Sequence, residues 1–142
     1  MKNKHIDAFM QTAETFAQCS TAIRLKVGCV IVKDDTIIGI GYNGMPSGWS
    51  NDCENYIQHS DDTVSLKTKP EVLHAETNAI AKVSRSTNSS DNSILFVTHA
   101  PCLDCAKLIY QSGIKSVYYR NQYRSNDGIE FLNKCEVPTT KI

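Results

Sequence analysis

Two short stretches hold the residue types that could do chemistry. His74-Ala75-Glu76 places an imidazole two residues before a carboxylate, and Pro101-Cys102-Leu103-Asp104-Cys105 places two thiols three residues apart. Two cysteines at i and i+3 lie on the same side of a helical turn. At a helix N-terminus the macrodipole favours the thiolate form that metals need. With His74 as a third donor, the set offers three protein ligands and leaves one position open. That is the pattern of a catalytic zinc, whereas structural zinc is usually four-coordinate. Water on such a metal could become a nucleophile at neutral pH. Glu76, beside the metal without binding it, could move protons for the reaction. Each piece also has an ordinary reading. Cys-x-x-Cys can be redox-active, a lone histidine can simply open a surface helix, and a first-turn glutamate favours the helix dipole. The two halves together are more specific than either alone.

The elements that must position these residues can be read from periodicity. Apolar residues at Ile6, Phe9, Met10, Ala13, Phe16 and Ala17 recur at helical spacing. Gly28-Cys29-Val30-Ile31-Val32 is a β-rich run suited to a strand covered on both faces. Asp34-Asp35 reads as a turn into a second strand, Thr36 to Ile40, giving a hairpin. Tyr42 to Leu73 is long and polar and reads as a loop. Ala75, Ala79, Ile80 and Val83 mark a helix that starts at His74. Ile94 to Val97 is a strand, Pro101 to Ser112 a helix closed by Gly113, and Ser116 to Tyr119 a further strand. Strand, helix and strand in that order form a βαβ unit with parallel strands. Ile129, Phe131, Leu132 and Val137 suggest a last short helix and strand. The expected fold is α/β: a three-layer α-β-α arrangement with a mixed sheet of about five strands and helices on both faces.

The 142 residues suit one compact domain, with 41% hydrophobic residues for a core. The formal net charge is zero, which argues against a nucleic-acid polyanion as partner. No apolar run approaches the roughly 20 residues of a membrane span. Met1 to His5 leads into an amphipathic pattern rather than a signal peptide, so a cytoplasmic location is expected. In a reducing compartment the six cysteines point to metal or catalysis rather than disulfides.

His-x-Glu followed by Pro-Cys-x-x-Cys is the signature of zinc nucleobase deaminases. From about Arg24 to Tyr123 the chain resembles the cytidine deaminase superfamily and, within it, the deoxycytidylate (dCMP) deaminases. The narrower resemblance rests on Gly41-Tyr42-Asn43-Gly44-Met45-Pro46, with Gln111-Ser112-Gly113-Ile114-Lys115 beyond the cysteines. It implies one deaminase domain over residues 1–142 and hydrolysis of dCMP to dUMP and ammonia. Zinc would be held by His74, Cys102 and Cys105, with Glu76 moving protons. The resemblance places Asn43 at the sugar, Tyr123 near the nucleotide, Ala75 and Ala100 beside the base, and Arg24 and Lys26 as candidate phosphate contacts. Asn43 could instead be a turn residue, although the whole segment exceeds a turn's needs, and the basic pair could be solvated cations. The family is typically a homo-hexamer activated by dCTP and inhibited by dTTP, with Mg2+ on the triphosphate. Tyr42, Asn43, Gly44, Met45 and Arg85 fall at positions tied to that regulation. Cys19 and Cys53 with His59 or His99 could hold a second zinc. Other readings are a deaminase of cytidine or of tRNA adenosine, and a non-catalytic zinc-stabilised interaction module.

Overall fold

The computed structural model describes all residues from Met1 to Ile142. Helix α1 (Asn3–Ala17) leads into the hairpin of β1 (Gly28–Lys33) and β2 (Thr36–Tyr42). Asp34 and Asp35 both take positive φ, at 50° and 59°. That is the geometry of the tight hairpin turn whose twist matches the strands it joins. Next come β3 (Glu54–Gln58), β4 (Val64–Thr68), α2 (Ala75–Ser84), β5 (Ile94–His99), α3 (Leu103–Gln111), β6 (Ser116–Asn121), α4 (Asp127–Lys134) and β7 (Thr139–Lys141). Five strands form one sheet in the order β2-β1-β5-β6-β7. β1 is antiparallel to β2 and β5, while β5, β6 and β7 run parallel. No helix is long and apolar enough to cross a membrane.

The strand period of two explains the three layers. Val30 and Val32 of β1 and Phe96 of β5 point to one face, where they meet Met10 and Ala13 of α1. Cys29, Ile31, Leu95 and Val97 point to the other, against Ala79, Val83, Ala106 and Ile109 of α2 and α3. Ile129 and Leu132 of α4 join that second core. The expected three-layer fold and the mixed five-stranded sheet are present.

The polar region between Tyr42 and Leu73 differs from its reading as a loop. β3 and β4 pair there as a separate two-stranded antiparallel sheet, turning through Asp62 at a φ of 65°. Glu54 is the one buried residue of the ten. With nearly every side chain in solvent, no apolar alternation marks the hairpin. The predicted third helix also starts later than Pro101, because Cys102 has extended backbone and caps it.

Two glycines let the site's supports approach closely. A Cβ on Gly41 of β2 would overlap the Ala75 carbonyl oxygen and lie 2.6 Å from the Ala79 amide nitrogen. A Cβ on Gly128 of α4 would overlap the Pro101 carbonyl oxygen. Gly41→Ala must therefore push the start of α2 off the sheet. We expect it to cost about 2–3 kcal/mol, read as a lower denaturation midpoint. It should weaken metal binding as well, since His74 and Glu76 flank the displaced Ala75. An unchanged midpoint would mean that α2 shifts freely.

Candidate active site and metal centre

Two helix N-termini meet at the site. His74 has extended backbone, with φ −76° and ψ 156°, and forms the N-cap of α2 without using its side chain as a cap. Its carbonyl instead accepts the Asn78 amide, leaving the imidazole free to turn away from the helix. Cys102 repeats this at α3, with φ −69° and ψ 170°, and its carbonyl accepts the Ala106 amide. Cys105 and Glu76 follow in the first turns and are buried.

His74 Nδ1 lies 3.6 Å from Cys102 Sγ and 3.3 Å from Cys105 Sγ. All three donor atoms lie within 4.8 Å of one another. Tetrahedral zinc, with Zn–S near 2.3 Å and Zn–N near 2.0–2.1 Å, requires nitrogen–sulfur edges of about 3.6 Å and a sulfur–sulfur edge of about 3.8 Å. The donor set and its spacing fit Zn2+, with one position left for a water or substrate atom.

The electrostatics fit a cation too. Hydrogen bonding from the Cys105 thiol and then from His74 pulls the Cys102 thiol down to about 4. The same contact with Cys102, aided by burial, pushes the Cys105 thiol up. The Cys102 contact also raises the pKa of His74. Burial raises that of Glu76. Beneath Glu76, burial and then the nearby carboxylate push the Cys29 thiol up, so Cys29 packs as a small apolar residue.

His74, Glu76 and Cys102 open into a cavity of about 670 Å³, a size that suits a small organic ligand. Ala75, Ala100, Tyr123, Asn43 and Arg24 line it. Lys26 is exposed and does not line it. The Asn43 amide clamps the neighbouring chain: Nδ2 donates to the Leu25 carbonyl at 2.8 Å, and Oδ1 accepts the Val27 amide at 2.9 Å. Glu54 accepts the amides of Ile23 and Arg24 at 2.9 and 3.2 Å, while the Arg24 guanidinium donates to Thr68 at 3.2 Å. The β3–β4 hairpin thus holds Arg24 at the cavity. Lys67 of β4 and Arg124 line it as well, and sequence reasoning missed both. Arg124 sits beside the expected Tyr123 and stacks over its ring at 5.5 Å, so that adjacency was a usable signal. Lys67 gave none.

Tyr42, at the end of β2, lies against α2. Asn78 Nδ2 donates to the Tyr42 carbonyl at 2.8 Å, and the Lys82 ammonium lies 5.7 Å from the centre of the Tyr42 ring. Gly44 pairs with Leu73, next to His74. Met45 is half-buried, and Arg85 is exposed at the C-cap of α2. No second metal cluster is assembled: His74, Cys102 and Cys105 form the one group of three such donors. Cys19 is exposed, Cys53 is buried near Thr21, His59 bonds Ser65, and His99 bonds Thr98.

An open His-Cys-Cys centre with a buried carboxylate, set on paired helix N-termini of a three-layer α/β/α fold, defines a zinc-dependent hydrolytic site. Residues 3–121 match the cytidine and deoxycytidylate deaminase zinc-binding region, and the chain belongs to that family. The solved dCMP deaminase of cyanophage S-TIM5, in complex with dCMP and dUMP, superposes with a TM-score of 0.90 at 47% identity. That match covers 100% of this chain and 99% of the phage chain. Human deoxycytidylate deaminase is 37% identical over 121 residues, or 84% of this chain and 66% of its own length. ComE operon protein 2 of Bacillus subtilis is 37% identical over 118 residues, or 83% of this chain and 60% of its own. The chain therefore spans less than two thirds of the length of those two relatives.

Proposed function

We propose that this protein is a zinc-dependent dCMP deaminase, converting dCMP and water to dUMP and ammonia. The observation that carries this reading is the shared cavity. His74 and Cys102 of the three-donor cluster and Glu76 open into it, and Arg24, Lys67 and Arg124 line the same space. His74, Cys102 and Cys105 would hold Zn2+, and the ion would supply a Lewis acid that makes water a nucleophile at neutral pH.

The rest of the chemistry falls to the protein. Glu76 takes one proton from the attacking water and passes it to the pyrimidine ring nitrogen, then takes the remaining proton from the new C4 hydroxyl and delivers it to the amine, which leaves as ammonia as the C4 carbonyl forms. Its burial suits both halves of that relay, because a raised pKa brings a carboxyl closer to the operating pH. The Ala75 amide, at the start of α2 where N–H groups lack helical partners, faces the base together with Ala100. Asn43 approaches the sugar, Tyr123 packs along the nucleotide, and the cations take the 5′-phosphate. Lys26 acts only at long range.

Regulation is part of the proposal. dCTP, carried with Mg2+, activates and dTTP inhibits a cytoplasmic homo-hexamer through Tyr42 to Met45 and Arg85. The physical support is that Tyr42 and Arg85 both bear on α2, the helix that carries Glu76. An effector that moves either one thereby biases the site.

One assay tests the whole reading: turnover of dCMP, CMP, deoxycytidine and cytosine, each with and without Mg2+-dCTP or Mg2+-dTTP. We expect kcat/KM for dCMP to exceed that for deoxycytidine by at least about 100-fold, the worth of two charge-assisted phosphate contacts. Equal values would defeat the nucleotide assignment. A dCMP saturation curve unmoved by either triphosphate would remove the regulatory part alone.

A further inference from the structure

The sequence marks His99 only as a spare metal ligand. The structure gives it a defined hydrogen-bonding state. The preceding residue, Thr98, is buried, and its Oγ1 accepts the Gly28 amide at 3.1 Å. The same oxygen lies 3.0 Å from His99 Nδ1. A hydroxyl has one proton to give. The Gly28 amide already uses one acceptor position, and Thr98 Oγ1 makes no other hydrogen bond. The hydroxyl must therefore donate to Nδ1. The reverse arrangement would leave a buried hydroxyl proton without an acceptor, at a substantial free-energy cost.

An imidazole that accepts at Nδ1 carries its own proton on Nε2 when neutral. Burial lowers the pKa of His99, which favours the neutral ring. No protein group bonds Nε2. That atom is not sealed in the interior either, because no buried side-chain nitrogen or oxygen lacks a partner. His99 lines the cavity, so its Nε2–H is an unused donor there.

Its place in the sheet indicates what it addresses. His99 ends β5 opposite Asn121 of β6, and the Ala100 amide donates to the Asn121 carbonyl at 2.9 Å. The chain leaving β6 then brings Tyr123 and Arg124 into the same cavity. Ligands of open α/β sheets sit outside the carboxyl ends of parallel strands, where His99 lies. We propose that the Nε2–H of His99 is a fixed, neutral donor to a phosphate oxygen of the nucleotide bound in this cavity. The inference rests on the nucleotide reading above. Arg24, Lys67 and Arg124 supply charge on long, flexible stems, and charge alone fixes distance poorly. A donor held on a strand and locked in one tautomer adds direction without adding a further cation.

The test uses the zinc-loaded full chain, its His99→Leu variant and its His99→Gln variant, which keeps an N–H near the Nε2 position. Binding of dUMP and of deoxyuridine is measured by calorimetry, alongside kinetics on dCMP and deoxycytidine. His99→Leu should weaken dUMP and raise KM for dCMP by about 10- to 100-fold. Deoxyuridine binding, kcat and zinc content should stay within about twofold, and His99→Gln should recover most of the loss. Nitrogen NMR of the ligand-free protein should show His99 protonated on Nε2. Unchanged dUMP binding in His99→Leu, equal losses on dUMP and deoxyuridine, or an Nδ1–H tautomer would each overturn the proposal. A wild-type protein that does not prefer dUMP over deoxyuridine would instead bring down the nucleotide reading beneath it.

Discussion

Glu76→Gln should keep its zinc and its fold and lose about three orders of magnitude or more in kcat. A single positioned acid or base contributes about 10²- to 10⁴-fold, and here one carboxylate serves two successive transfers. Glutamine matches glutamate in size and shape, so packing in the first turn of α2 is preserved. It can hydrogen-bond to the water and the ring, yet it cannot accept a proton and hand it on. No other carboxylate lines the site beside the metal cluster to stand in: Glu54, also in the cavity wall, is occupied by the amides of Ile23 and Arg24. Metal analysis should return one zinc per chain for both proteins, and single-turnover kinetics should place the loss in chemistry rather than binding. A variant with wild-type turnover would sink the proton-relay mechanism. A variant that also loses zinc would mean that Glu76 supports the metal directly.

The parts of this site that were legible in the sequence are those whose chemistry fixes a local spacing. Cys102 and Cys105 share a helical turn, and His74 and Glu76 share another, so four residues carry their relation within a few positions. The sheet was legible for a similar reason: β1 and β5 are covered on both faces and must be continuously apolar. What escaped depends on pairings distant in sequence. The β3–β4 hairpin is held by backbone pairing and leaves its side chains in solvent, so it has no hydrophobic signature. Glu54, Thr68 and Lys67 came into view only with it. The grip of Asn43 on Leu25 and Val27 also needed the fold. The tautomer of His99 rests on an amide 70 positions upstream of Thr98, which no local pattern could reveal.

Cys105→Ala should abolish stoichiometric zinc binding and, with it, activity. The site has three protein ligands and no fourth to compensate. Cys105 is also the buried member of the pair, so no exposed side chain can swing into its place. Zinc that binds the folded chain alone stabilises it by RT ln(1 + [Zn]/Kd), about 4 kcal/mol at a thousandfold excess over Kd. For a domain of this size that corresponds to roughly 10 °C or more in Tm. Chelation should therefore lower the Tm of the wild-type protein by that amount, and added zinc should restore it. The Tm of Cys105→Ala should respond to neither. The comparison separates loss of the metal from loss of the fold, because the variant should melt close to the chelated wild type rather than far below it. Full zinc occupancy in Cys105→Ala would place the metal on another donor set. A variant that melts far below the chelated wild type would show that the thiol holds the start of α3 by packing as well as by ligation.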